Sequence, residues 1–161
     1  MIKKVETDVE IMKCQEIIRN SFITVADDFG LTIKNAATNP AFITYENLQK
    51  SIEKGMELYI KYENNEAVGC VGIQRSSSSK EIYYIERLAV LPEKRHRGVG
   101  KSLLDFALYK VNKREGKEIS IGIIDENKVL KEWYIEYGFI EKETKIYEHL
   151  PFTVCLMIKK V

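Results

Sequence analysis

Apolar residues recur along this chain with two spacings, and the stretch over which each spacing holds predicts a helix or a strand. Residues 1–6 alternate loosely, as a first strand would. Thr7 and Glu10 have capping-box spacing, in which a hydroxyl and a carboxylate satisfy free amides at a helix start. Ile11, Cys14, Ile18, Phe22 and Val25 follow at helical intervals, so an amphipathic helix is expected from residue 8 to about 25, its stripe in the core. The rhythm breaks over 26–43, through Asp27-Asp28, Gly30, Asn35, Asn39 and Pro40, before Leu48 and Ile52 mark a short helix between Thr44 and Gly55. An irregular stretch of that length in a compact domain usually has a use.

Strand spacing then takes over. Residues 57–63 and 67–74 flank Asn64-Asn65 as a hairpin, and Ser76 to Ser79 is a polar turn. The strongest strand is 82–91. Strict alternation puts Ile82, Tyr84, Glu86, Leu88 and Val90 on one face and Tyr83, Ile85, Arg87 and Ala89 on the other. One carboxylate, Glu86, is thus expected among four large apolar or aromatic side chains, partly desolvated and suited to act as a general base. Past Pro92 the chain turns basic, then carries Leu103, Leu104, Ala107, Leu108 and Val111 on one helical stripe that Gly116 ends. Residues 119–124 form a short apolar strand expected to be covered on both faces. Asn127 can cap a last helix with Leu130, Trp133, Tyr134 and Tyr137, closed by Gly138. Two strands, 139–147 and 152–158, close the chain around Pro151. The order is that of an α/β (α+β) domain: a mixed, mostly antiparallel central sheet of six to seven strands with about four helices on its faces.

Composition narrows the function classes. With 161 residues, 45% hydrophobic and 30% charged, the chain is expected to be one globular domain spanning residues 1–161. Lysine and arginine total 25 against 24 acidic residues, so neither nucleic acid nor a membrane surface is an expected partner. Cys14, Cys70 and Cys155 are scattered and show no paired spacing, which argues for buried thiols in a reducing cytosol rather than disulfides or a metal site. No apolar run approaches the ~18 residues of a membrane span, and a cytoplasmic location is expected.

The segment Arg95-His96-Arg97-Gly98-Val99-Gly100 joins a buried strand to a helix. Glycines admit close approach to the backbone, and free amides at the positive end of a helix attract anions, so a pyrophosphate fits there. Gly100-Lys101-Ser102 also ends like the phosphate loop of nucleotide hydrolases, with Ile121-Gly-Ile-Ile-Asp-Glu126 as a companion strand. That loop requires a glycine where this chain has Arg95, whose Cβ disfavours the tight turn, so a magnesium-nucleotide hydrolase is the weakest reading.

The same residues resemble the acyl-CoA-binding signature of the GNAT N-acetyltransferase superfamily, [R/Q]-x-x-G-x-[G/A], with Arg95, Gly98 and Gly100 on the specified positions. Asn127 followed by Trp133-Tyr134-Ile135-Glu136-Tyr137-Gly138-Phe139 is similar to a second family segment. The strand Ile85 to Val90 stands where the family has its splayed central strand. The resemblance covers residues 57–148 in detail and the whole chain in element order. It implies a GNAT-like fold and transfer of an acetyl group from acetyl-CoA to an amine of a small molecule or protein by direct attack, without a metal.

It also implies roles. Arg95, His96, Arg97, Gly98, Val99, Gly100 and Lys101 take the CoA pyrophosphate on loop amides. Backbone groups of Leu88 and Val90 pair with the pantetheine arm, Asn127 hydrogen-bonds it, and the Val90 amide is the oxyanion donor. Tyr134 resembles the tyrosine that protonates the departing thiolate, and Glu86 or His149 is the base. The stretch 26–50, with Asp27, Asp28, Phe42, Tyr45 and Glu46, and the turn Glu148-His149-Leu150-Pro151 are expected on the acceptor side, their acids mildly favouring a cationic amine. A homodimer fits superfamily habit. An acyl-CoA-binding sensor without turnover is the alternative within the same resemblance.

Overall fold

The computed structural model describes residues 1–161. Seven strands, β1 (Ile2–Lys4), β2 (Glu57–Glu63), β3 (Glu66–Arg75), β4 (Ile82–Val90), β5 (Glu118–Ile124), β6 (Ile140–Ile146) and β7 (Thr153–Lys160), form one sheet in the order β1-β2-β3-β4-β5-β7-β6. Every neighbouring pair is antiparallel except β4 and β5. Four helices accompany it: α1 (Asp8–Asp28), α2 (Tyr45–Glu53), α3 (Val99–Lys113) and α4 (Lys128–Tyr137). The expected fold class is therefore the observed one.

Local chemistry accounts for the boundaries. The Thr7 hydroxyl accepts from the Glu10 amide while the Glu10 carboxylate accepts from the backbone at Glu6 and Thr7, the reciprocal cap that the sequence announces. α1 runs to Asp28, three residues beyond its expected end. Thr44 and Asn47 repeat the same device at α2. Asn64 and Asn65, both with positive φ, turn the β2–β3 hairpin in the way its right-handed twist requires.

Two cores lie on opposite sides of the sheet. α3 and α4 cover one, where Leu103, Leu104 and Ala107 are fully buried against Val71, Ile73, Tyr83 and Ile85. α1 and α2 cover the other, with Ile18, Leu48 and Met56 against Leu58, Ile60 and Ala89. Truncating any of these leucines to alanine removes about 2–5 kcal/mol. A smaller cluster joins Ala26, Leu31, Ala36 and Ala41 to Ile124 and Phe152, which ties the irregular 29–43 stretch to the end of β5 and the β6–β7 connection.

Two features of β4 shape the site. It pairs with β5 only from Ile82 to Tyr84, opposite Glu118 to Ser120, after which the two strands part. It also carries a bulge: Gly72 pairs with Glu86 and Cys70 with Ala89, so three steps on β4 oppose two on β3. Arg87, at φ 55°, absorbs the extra residue. The bulge corrects the expected alternation. Leu88 and Val90 pack toward the α3 core with Tyr83 and Ile85, whereas Ala89 belongs to the α1 core. Glu86, opposite Gly72 and on the side of Met56, does not share a face with Leu88 or Val90.

Candidate active site

The gap between the parted strands is lined by main chain. The Leu91 amide donates to Val68 on β3, and backbone direction alternates along a strand. The peptide groups of Val90 and Leu88 therefore point away from β3, into the gap beyond the last β4–β5 pair.

At the end of β4 the chain makes one tight turn (Pro92–Lys94) and reaches α3 through Arg95 to Gly98. His96 and Gly98 both have positive φ, 63° and 81°. The amides of His96, Arg97 and Gly98 donate to no protein acceptor, and the first bond of α3 runs from Ser102 to the Gly98 carbonyl. Val99, Gly100 and Lys101 thus add the unpaired amides of a helix start. Six consecutive donors at the positive end of a helix form a cradle for an anion. A Cβ on Gly98 meets nothing within 4 Å, so the space in front of the loop is open. One on Gly100 touches Trp133 at 3.6 Å and Val90 at 3.7 Å.

The loop side chains are arranged differently from the amides. His96 and Arg97 are exposed, and Val99 is buried in the α3 core. Arg95 turns away from the cradle: its guanidinium donates to the Ser21 carbonyl at 2.7 Å, the Ser21 hydroxyl at 3.2 Å and the Thr24 hydroxyl at 3.1 Å. It clamps the loop to α1. Lys101 pairs with Asp105 at 2.9 Å, and Asp105 also accepts from the Tyr137 hydroxyl.

α4 starts across the gap, at the end of β5. The Asn127 side-chain oxygen accepts from the Leu130 amide and caps the helix. Tyr134 is buried, edge-on to Trp133 at 4.9 Å and to Phe139 at 5.3 Å between ring centres. Burial pushes its phenol well above the usual tyrosine range, which keeps it protonated and able to donate. Glu86 is half-buried beside the bulge. His149 is exposed in the β6–β7 turn with its ring 5.8 Å from that of Tyr147.

The acids expected to attract a cationic acceptor do not converge. Tyr45 donates to Asp8 at 2.8 Å, which places Glu46 beside the start of α1, while Asp27 and Asp28 end that helix. Twenty residues of helix separate the two ends by about 30 Å. What gathers instead is basic: Arg87, Lys50 and Lys54 line one cleft with Asn39, Asn47 and Ser51. None of the three was singled out by the sequence reading, although an arginine on an otherwise apolar strand face was a visible signal. Asp125, Glu141 and Cys155 come within 4.8 Å of one another, but the Lys131 ammonium pairs with both carboxylates there. No helix is long and apolar enough to cross a membrane.

Comparison with known proteins bears on this arrangement. Residues 24–154 match the family described as Acetyltransferase (GNAT) domain. Over 84 residues, 52% of its length, the chain is 36% identical to an uncharacterized N-acetyltransferase of Schizosaccharomyces pombe; the match spans 58% of that protein. The fold superimposes on PaiA N-acetyltransferase from Thermoplasma acidophilum, solved with coenzyme A, with a TM-score of 0.82, 17% identity and coverage of 100% and 99% of the two chains. For the ribosomal-protein-S18-alanine N-acetyltransferase of Escherichia coli the values are 0.77, 13%, and 100% and 93%.

Proposed function

The chain belongs to the GNAT acetyltransferase family, and on that premise we propose that it transfers an acetyl group from acetyl-CoA directly to an amine. The single observation that carries the reading is the run of unpaired amides from His96 to Lys101 at the mouth of the β4–β5 gap. Unpaired donors at a loop between strand and helix suit a pyrophosphate, and the peptide groups of Leu88 and Val90 suit an extended arm laid along β4 as an added strand. Acetyl-CoA supplies a thioester, whose carbonyl is the electrophile.

The residues then divide the work. The Val90 amide faces the gap and donates to the oxygen on which charge develops. Tyr134, protonated and with no protein acceptor for its hydroxyl, gives a proton to the departing sulfur. Glu86, through a water, removes one from the acceptor ammonium so that a neutral amine attacks. We assign the base to Glu86 rather than His149 because Glu86 sits next to the bulge on the strand that carries the oxyanion donor. Asn127 spends its side-chain oxygen on the α4 cap and keeps its amide nitrogen for the arm.

The test is calorimetric titration with CoA and with Mg-ATP, followed by thiol release over a panel of amines. Binding of CoA, none of Mg-ATP, and turnover of at least one amine are expected. Binding of CoA without turnover across the panel makes the chain a sensor instead, and binding of Mg-ATP alone overturns the reading.

A further inference from the structure

On the α2 side of β4, residues 37–39, the last turns of α2 and the strand bulge enclose an open cleft of about 300 Å³. Its charge has one sign. Arg87, Lys50 and Lys54 line it, Asn39, Asn47 and Ser51 add neutral hydrogen-bonding groups, and no carboxylate belongs to its wall. None of the protein's ion pairs involves any of the three cations.

Arg87 is the informative member. It occupies the left-handed region at φ 55°, uncommon for a side chain of its size, and its Nε is buried with no hydrogen-bond partner. Buried polar groups are nearly always paired, and a guanidinium left without an acceptor is costly. The dipole at the end of α2 explains lysines there, yet it offers nothing to an arginine on a strand. Lys50 and Lys54, one helical turn apart, repel each other unless a counter-charge lies between them. A compact oxyanion answers all three, because the planar guanidinium fork matches a carboxylate or a phosphate with two parallel bonds.

We propose that this cleft binds the anionic group, carboxylate or phosphate, of the acetyl acceptor, which makes the acceptor a small acidic amine. The inference rests on the acetyltransferase reading for its second half. The wall of the cleft is tied to the far side of the gap: Ala36 and Ala41, flanking its 37–39 segment, share a buried cluster with Ile124 at the end of β5 and with Phe152. Arg87 stands on the strand whose next residues face the gap.

The amide cradle is itself an anion site, so the binding experiment is done with CoA saturating. The CoA-loaded protein is titrated with succinate and with inorganic phosphate while its melting temperature is followed. One or both should stabilise it, and whichever binds more tightly identifies the anion. Lys50→Gln with Lys54→Gln, at two exposed positions, should weaken that binding at least fivefold, and Arg87→Met should abolish it. In turnover, the double variant should lose at least tenfold in kcat/KM with glutamate or O-phosphoethanolamine and change less than twofold with glycinamide. No stabilisation by either anion, equal stabilisation of wild type and double variant, or a preference for putrescine over every acidic amine overturns the proposal. If CoA does not bind at all, the acetyltransferase reading falls, and the same titrations without CoA decide the cleft by their dependence on Lys50 and Lys54.

Discussion

The two faces of the sheet around β4 are made of different material. On the α3 side the groups offered to a ligand are peptide amides from one continuous stretch, residues 96–101, with Leu88 and Val90 beside them. On the α1–α2 side they are side chains drawn from distant segments: Glu86 and Arg87 on β4, Lys50 and Lys54 at the end of α2, and Asn39 before it. A surface of amides is indifferent to most substitutions and sensitive to backbone geometry, whereas a surface of side chains is changed one residue at a time. Under the proposed function, this permits a constant cosubstrate site next to an adjustable acceptor site. Mutations that separate main-chain from side-chain dependence test the contrast directly.

The largest effect is expected on the side-chain half. Glu86→Gln should lower kcat/KM by about 10²–10³-fold near neutral pH, with acetyl-CoA affinity unchanged. His149→Ala is the matched control, since that ring is exposed and lies tilted 5.8 Å from the ring of Tyr147. Should the Glu86 variant keep its kcat/KM and the His149 variant lose it, the base is His149. Tyr134→Phe comes next, with a loss of about 10² in kcat measured under single-turnover conditions and little change in KM. Its ring contacts with Trp133 and Phe139 remain, and its hydroxyl has no protein partner to lose, so stability should hold. Because burial raises the Tyr134 pKa, the phenol stays protonated, and no alkaline limb from it should appear below pH 10. Full kcat in the phenylalanine variant makes the tyrosine a core residue and water the proton donor.

On the main-chain half, Gly98→Val should weaken CoA binding at least tenfold, about 1.4 kcal/mol. Space is not the reason, since a Cβ there meets nothing; the φ of 81° is, because a β-branched residue leaves that region and takes the neighbouring amides with it. His96→Ala and Arg97→Ala should each cost less than about threefold, as exposed charges are screened and the amides stay in place. If the alanine variants lose as much as the valine variant, binding runs through side chains and the contrast between the two halves collapses.

How much of this was legible in the sequence follows the same division. The glycine-marked turn between β4 and α3, with its run of unpaired amides, was legible because it lies in one continuous stretch, and the Thr7–Glu10 capping box and the hairpin turn are likewise local. The bulge at Arg87 was not, since an extra residue in one strand leaves no mark in the period before it and inverts every face after it. That inversion is why Glu86 was placed with Leu88 and Val90. The basic cleft was hidden for a further reason: residues 54–81 separate α2 from β4, and only the packed sheet brings them together. The acids of 26–50 looked like a cluster because they are close in sequence, but α1 is a rod that holds them apart.

The smallest expected effect falls on the residue that joins the two halves. Arg95 heads the glycine signature, yet its guanidinium is spent on Ser21 and Thr24 of α1, and burial pushes its pKa down with no carboxylate beside it to offset the shift. Arg95→Ala should therefore act as the loss of a clamp. Three hydrogen bonds from a half-buried cation disappear and the Ser21 carbonyl loses a donor, a destabilisation of about 1–2 kcal/mol in chemical unfolding. CoA affinity should drop only two- to fivefold, because the amides survive but the loop that presents them is less fixed. A direct charge contact to phosphate predicts a different signature, in which the loss is larger at low salt and fades as ions screen it. Comparing wild type and variant at 20 and 300 mM salt separates the two: an affinity ratio that is the same at both concentrations supports the clamp, and a ratio that shrinks with salt returns the arginine to the pyrophosphate.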